Sequence, residues 1–150
     1  MTAEELRARE CIRDTLARYN HSGDRGRLAD LAACFAPDGV LEISTQDQST
    51  GPEEIEARLS QVVAGSKERA ARPLVRHHVS SIAIQLEGPE EARAHSYFLV
   101  FTEIGLDHWG RYDDRLRRCG ERWLFAHRRV RTEGASPESR MAADAARRRT

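Results

Sequence analysis

Lysine is nearly absent from this 150-residue chain: Lys67 is the only one among its 24 basic residues. So strong an arginine bias reads as genome composition, and a single arginine carries less functional weight here than usual. Charge of one sign is not in excess either, because 24 acidic residues bring the net charge to +0. That balance argues against a dedicated nucleic-acid or anionic-membrane binder, whose affinity rests on a basic face. Long apolar runs are missing too, and none approaches the ~20 residues that a membrane span requires. The three cysteines, Cys11, Cys34 and Cys119, are odd in number and lack metal-ligand spacing. Cys11 and Cys34 sit among apolar neighbours, where a free cysteine behaves as a small hydrophobe. The N-terminal Met1-Thr2-Ala3-Glu4-Glu5 is acidic and has no apolar core of a signal peptide. Together these absences predict a reduced, cytoplasmic protein without nucleic-acid or membrane partners.

What is present suits one domain, since domains commonly run about 100–150 residues. A chain of this size buries roughly 68–70% of its unfolded surface, enough for a core with a pocket inside it. Thr2-Ala3-Glu4-Glu5 matches a capping box, and Leu6, Ile12, Leu16 and Tyr19 follow at approximately helical spacing. A first helix is expected from there to Asn20, with the stretch to Asp24 breaking it and Gly23 as its cap. A shorter helix carries Leu28, Leu31 and Phe35, and Pro37-Asp38-Gly39 turns the chain. Residues 40–44 read as a first strand and 45–50 as a polar loop. Gly51-Pro52-Glu53-Glu54 then opens a third helix that buries Ile55, Leu59 and Val62 or Val63.

From residue 74 the pattern is β: long strands over 74–87 and 91–106, then a hairpin of 108–119 and 122–132. In the last strand Trp123, Phe125 and His127 share one face, and Leu124, Ala126 and Arg128 the other. Residues 135–150 are polar and read as a disordered or weakly helical tail after a domain of residues 1–134. Helices first and antiparallel strands afterwards predict an α+β fold, with N-terminal helices packed on a curved, mainly antiparallel sheet around a pocket.

An Arg76-His77-His78 triplet opens the strand that begins near residue 74. Histidine on a strand beside a half-apolar cavity can take up and return a proton near neutral pH. Neighbours in a regular strand point to opposite faces, so one of His77 and His78 faces the pocket. Periodicity favours His78, which shares parity with Ile82, Ile84 and Leu86; a bulge between residues 78 and 82 would turn His77 inward instead.

The order of elements resembles the SnoaL-like branch of the nuclear transport factor 2-like superfamily, nearest its scytalone dehydratase and dehydrochlorinase group. The landmarks are Ala17-Arg18-Tyr19, Asp24, Leu28, Phe35-Ala36-Pro37-Asp38-Gly39, Thr50-Gly51-Pro52, Arg76-His77-His78, Ala92-Arg93-Ala94-His95-Ser96-Tyr97, Gly110-Arg111-Tyr112-Asp113-Asp114 and Trp123-Leu124-Phe125. The resemblance implies a cone-like α+β fold with a deep pocket, on a scaffold that also hosts ketosteroid isomerase, polyketide cyclases and dioxygenase small subunits. It implies an Asp at the end of the first helix paired with a His at the start of the long strand, here Asp24 and His77. It further matches Tyr19 to a helix-end tyrosine and places His108 near a second pocket histidine. Where the dehydratase carries its catalytic aspartate, directly after that tyrosine, this chain has Asn20, so Asp24 takes the role. Members often assemble through the outer sheet surface, which implies a homodimer or homotrimer, with Tyr97, Phe98 and Phe101 candidates for interface or core.

A His–Asp pair suits general-base catalysis, because the carboxylate fixes the tautomer and stabilises the imidazolium. The expected activity is a cofactor-independent dehydratase-type lyase or isomerase for a small hydrophobic cyclic substrate. The alternative is a non-catalytic binding or assembly module similar to a dioxygenase small subunit. Candidate catalytic residues are Asp24, His77, His108 and Tyr19; candidate substrate contacts are Arg76, His78, Tyr112 and Trp109. No metal or other cofactor is expected. Each candidate has a plainer reading: Asp24 as an N-cap, His108 as a hairpin-edge residue, Tyr19 as part of the helix's apolar face. The Asp113-Asp114-Arg115 and Arg128-Arg129 clusters read as cross-strand ion pairs on a solvated face. His21, His95 and His127 read as structural.

Overall fold

A computed structural model describes residues 1–44, 46–67, 74–139 and 141. Helix α1 (Ala3–Asp24) begins at the expected capping box: Thr2 Oγ1 accepts from Glu5 N at 3.1 Å, and Glu5 Oε2 accepts from Thr2 N at 2.7 Å. Ile12, Leu16 and Tyr19 form its buried stripe. The expected break at Asn20 does not occur. Asn20 satisfies its amide within the helix by donating to Leu16 O at 3.1 Å, and α1 continues to Asp24. The stop comes at Gly26, whose φ of +69° is the left-handed conformation that glycine adopts most readily. Gly26 N donates to Gly23 O and Arg27 N to Ser22 O, so the last carbonyls of α1 are satisfied in a Schellman pattern. Asp24 therefore sits in the rigid final turn of α1 and does not cap the next helix.

Helix α2 (Leu28–Ala32) is followed by β1 (Phe35–Ser44), which runs through the expected Pro37–Gly39 turn. The polar stretch expected to loop forms β2 (Asp47–Thr50), an antiparallel edge strand on β1 held by an Arg58–Asp47 ion pair. Helix α3 (Gly51–Lys67) buries Ile55 fully, whereas Val62 is exposed and does not join its buried face. Strands β3 (Arg76–Leu86), β4 (Glu91–Thr102), β5 (Gly105–Cys119) and β6 (Arg122–Ala135) form an antiparallel meander. Among the described residues six strands run β2-β1-β6-β5-β4-β3, and of their pairings only β1–β6 is parallel. Helices and sheet enclose a core around Ile12, Leu16, Phe35, Leu41, Leu116 and Phe125. A smaller cluster of Phe98, Val100 and Tyr112 lies beside it, so Phe98 faces inward while Tyr97 points out. No helix among the described residues is long and apolar enough to cross a membrane.

Bulges reset which residues face the helices. In β3 the register shifts between Ser80 and Ala83, with Ser81 at φ +51°. In β5, Val100 pairs with His108 and Phe101 with Leu106, leaving Asp107 as the extra residue. In β6, Leu116 pairs with Phe125 and Arg115 with His127, so Ala126 is passed over. That last bulge breaks the expected alternation: Phe125 and Arg128 both face inward, and His127 faces out to meet Glu42 at 3.0 Å. Beyond β6, residues 136–139 are drawn back onto β5, with Ser136 N donating to Asp107 O at 2.7 Å. Of the expected tail, residues 140 and 142–150 lie outside the described residues.

Candidate active site

Asp24 and His77 come together from elements 53 residues apart in sequence. His77 Nδ1 lies 2.6 Å from Asp24 Oδ1, and the His77 backbone N donates to Asp24 Oδ2 at 3.0 Å. Both carboxylate oxygens are thus occupied by one residue. This fixes the ring as well as the distance, because strand backbone and imidazole are held by the same group. A carboxylate at a helix C-terminus works against the helix dipole by about 0.3–1 kcal/mol. The two bonds from His77 offset that. Burial pushes the Asp24 carboxyl up, but the hydrogen bonds and charge from His77 outweigh it and hold Asp24 below its ordinary value of 3.8. Asp24 is therefore ionised and acceptor-only at neutral pH, so neutral His77 carries its proton on Nδ1. The lone pair is left on Nε2.

The pair is accessible: the His77 and Asp24 side chains keep 20% and 12% of their surface. It lines a cleft of about 420 Å³ between α1 and β3, bordered by Leu16, Ala17, Asn20, Arg76, Val79 and Ile82. The bulge at Ser81 decides the parity. Before it His77 and Val79 face inward, and after it Ile82, Ile84 and Leu86 do. His78 points to the outer face, edge-on to Phe101 at 5.1 Å between ring centroids, and reaches only the cleft rim. Arg76 is exposed at the same rim. A second hollow of about 330 Å³, at the other end of α1 near Thr2, Cys11 and Trp123, has no histidine in its lining.

His77, Val100 and His108 form one row across three strands, since His77 pairs with Val100 and Val100 with His108. Two strand spacings put the histidine backbones about 10 Å apart on the same face. His108 has a carboxylate of its own: its Nδ1 is 2.8 Å from Oδ1 of fully buried Asp107. Desolvation lowers the His108 pKa from 6.5, and nearby His77 adds to this; Asp107 pulls the other way without reversing it. His108 is neutral at pH 7.

Other candidates stand elsewhere. Tyr19 is 8% exposed, wedged edge-on among Phe35, Tyr112 and Phe125, and burial raises its pKa. Tyr112 is buried as well and donates to Asn20 Oδ1 at 3.2 Å. It touches the cleft only through Asn20. Trp109 lies on the outer face against Gly134, where a Cβ would meet its ring at 2.4 Å, and so does not line the cleft. Exposed His95 pairs with half-buried Asp113 at 2.9 Å.

Asp107 is not among the residues that the sequence singles out, and Arg128 lies on the opposite face from the one expected. Arg128 is fully buried and bidentate to Asp114, with both bonds 2.8 Å, so this pair is not on a solvated face. Its guanidinium stacks on Tyr19, Phe125 and Tyr112, 4.0–4.2 Å from their centroids. Burial alone would lower its pKa, but Asp114 holds it above the ordinary arginine value. A carboxylate next to His108 was a readable signal for Asp107. For Arg128 the signal was there as charge complementarity, but strict alternation put it on the wrong face.

A profile of the SnoaL-like domain matches residues 4–129. The chain belongs to the SnoaL-like family, within the nuclear transport factor 2-like superfamily. A protein from Catenulispora acidiphila is 30% identical, with 81% of this chain and 88% of that one covered and a TM-score of 0.68. A candidate scytalone dehydratase from Novosphingobium aromaticivorans DSM 12444 is 24% identical over 88% of each chain, with a TM-score of 0.75. LinA is 17% identical over 86% of this chain and 88% of its own, with a TM-score of 0.72. The last two establish likeness of fold alone. No curated protein matches the sequence significantly.

Proposed function

We propose that the protein is a lyase of the dehydratase type, or an isomerase, that removes a carbon-bound proton from a small, largely apolar cyclic substrate. The observation that carries this reading is the double hydrogen bond between Asp24 and His77 at an open cleft. His77 Nε2 is the base. As it takes the proton, Asp24 stabilises the imidazolium without becoming protonated itself. The proton is then available to a departing hydroxyl, which leaves as water and returns His77 to its neutral form. Delivered to another carbon, the same proton gives isomerisation. Base, carboxylate and substrate complete this chemistry, so the reading calls for no cofactor. The fold shared with a candidate scytalone dehydratase supports the choice of elimination.

The experiment is a turnover screen of cyclic hydroxy-ketones and halides with wild type, His77→Ala and Asp24→Asn. Turnover by wild type that falls by about 10²–10⁴ in both variants is the expected result. Binding without turnover would support the alternative of a small-molecule carrier, and turnover untouched in His77→Ala would remove His77 as the base.

A further inference from the structure

We propose that Arg25 and Arg76 form a carboxylate-binding rim at the cleft, so that the substrate is a cyclic compound that bears a carboxylate. This deepens the reading above and rests on it, because the two arginines flank the Asp24–His77 pair.

Arg25 follows Asp24 in the chain, and Arg76 precedes His77. The bonds that join helix end to strand start therefore bring both arginines to the same end of the cleft, and both line it. Arg25 is the C-cap of α1 and serves the cap through its backbone alone. Arg76 NH1 donates to Val75 O, its own chain neighbour, at 2.7 Å, and its charge helps to lower the Asp24 pKa. Both side chains are exposed, and among the described residues neither has an ion pair.

Elsewhere on the sheet, arginines are commonly paired off: Arg93 with Glu87, Arg111 with Glu133 and Arg129 with Glu42. The arginine bias of the chain therefore does not explain this rim; what is missing there is the acid. Asp24 is the one carboxylate in the described lining, and His77 occupies both of its oxygens. Counting histidines as neutral, two guanidinium charges against one carboxylate leave an excess of one positive charge, which a singly charged carboxylate cancels. The planar fork of a guanidinium matches the two oxygens of that group. The dipole of α1 gives Arg25 a plainer reason to be there, since a cation is favoured at a helix C-terminus, but it gives none for Arg76 on β3. Arg13 also lines the cleft, about three turns up α1 from Asp24. That is about 16 Å, beyond a screening length of about 8 Å, so Arg13 is not part of the rim site. Between these ends Leu16, Ala17, Val79 and Ile82 offer an apolar lining for the ring. A carboxylate fixed at the rim holds the ring against them, with its carbons beside His77 Nε2.

Titration calorimetry of the full chain with 4-oxocyclohexane-1-carboxylate and its methyl ester tests this before any substrate is known. At low ionic strength the acid should bind about tenfold tighter than the ester, at about threefold for each exposed arginine–carboxylate contact. Salt at about 0.5 M should remove most of that difference. Arg25→Gln and Arg76→Gln should each weaken binding of the acid about threefold and leave the ester unchanged. Arg115→Gln, which removes an exposed arginine of β5 that has no ion pair among the described residues, should change neither. Nitrogen-15 NMR should show the acid perturbing the His77 ring resonances. Equal affinity for acid and ester, no binding of the acid, an unperturbed His77, or a loss in Arg115→Gln as large as in Arg76→Gln overturns the proposal. The two readings fail separately. An arginine-dependent preference for the acid without turnover leaves the rim site standing and removes the lyase. Turnover of the ester that depends on His77 and matches the acid in KM removes the rim site alone.

Discussion

Two histidines meet carboxylates on the same face of the sheet, but by different routes. His77 draws its partner from the end of a helix 53 residues away, and the pair keeps a small part of its surface open at the cleft. His108 draws its partner from the neighbouring residue in a bulge, and Asp107 is closed off and shared with Ser139 and Thr102. Asp24 gives one oxygen to the His77 ring and the other to the His77 backbone, so a single residue takes both. Asp107 divides its charge among several donors. The first arrangement suits a group whose charge changes during a reaction, and the second suits one that holds its state. Carboxylate and imidazole alone do not make a base; the rest of the carboxylate's hydrogen bonds decide.

The largest expected contrast is in turnover. His77→Ala and Asp24→Asn should each lower it by about 10²–10⁴ while the melting temperature stays near that of wild type. Asp107→Asn should do the reverse: a smaller loss of turnover, and a stability loss of about 1–3 kcal/mol as one buried acceptor is replaced by an amide donor that faces other donors. Equal profiles for Asp24→Asn and Asp107→Asn in paired kinetic and urea-denaturation measurements would erase the distinction drawn here.

A third carboxylate pairing gives a purely structural reference. Arg128→Met leaves Asp114 as an unpaired buried charge and should cost about 3–5 kcal/mol, measured by denaturant unfolding. Adding Asp114→Leu should recover part of that loss, since removing both partners of a buried pair is far milder than removing one.

Acid should act on both histidine pairs in the same direction. The pKa values of Asp24 and His108 are both lower in the folded state than their ordinary 3.8 and 6.5. Below each ordinary value the unfolded chain binds more protons than the folded one, so stability falls as pH falls. His108 should contribute to a decline that begins below about pH 6.5, and Asp24 to a further one below about pH 4. Titrated unfolding of His108→Gln should lack the first decline, and that of Asp24→Asn the second.

The smallest effect is expected at the bulge that turns His77 inward. Ser81 holds a left-handed φ of +51°, and Ser81→Gly should relieve strain by up to about 1 kcal/mol with turnover unchanged. A drop in turnover would show that the bulge depends on the serine side chain as well as on the backbone.

Most of the fold was legible because its signals are local. The capping box at Thr2, the stripe of Ile12, Leu16 and Tyr19, and the hairpin at Gly120 each announce themselves within a few residues. Where the reading failed, the decisive bond was a local one that competed with a turn signal. Asn20 looked like a helix breaker but bonds back to Leu16, and Gly26, not Gly23, ends α1. The β2 edge was illegible because backbone pairing with β1 and Arg58 hold it, and neither leaves an apolar alternation. In the site, Asp24 and His77 were named from the resemblance, and their contact follows once α1 extends to Asp24. The direction of His77 depended on the bulge weighed against strict periodicity, and the register shift at Ser81 supplies it. Strict periodicity misled in β6, where the step over Ala126 carries Arg128 into the core.

The central claim is that His77, aligned by Asp24, removes a proton from carbon. Hydrogen–deuterium exchange at the α-carbon of cyclic ketones, followed by proton NMR in heavy water, reads that step whether or not a leaving group is present. Wild type should catalyse the exchange, and His77→Ala and Asp24→Asn should lose it. Exchange that continues undiminished in folded His77→Ala would contradict the account.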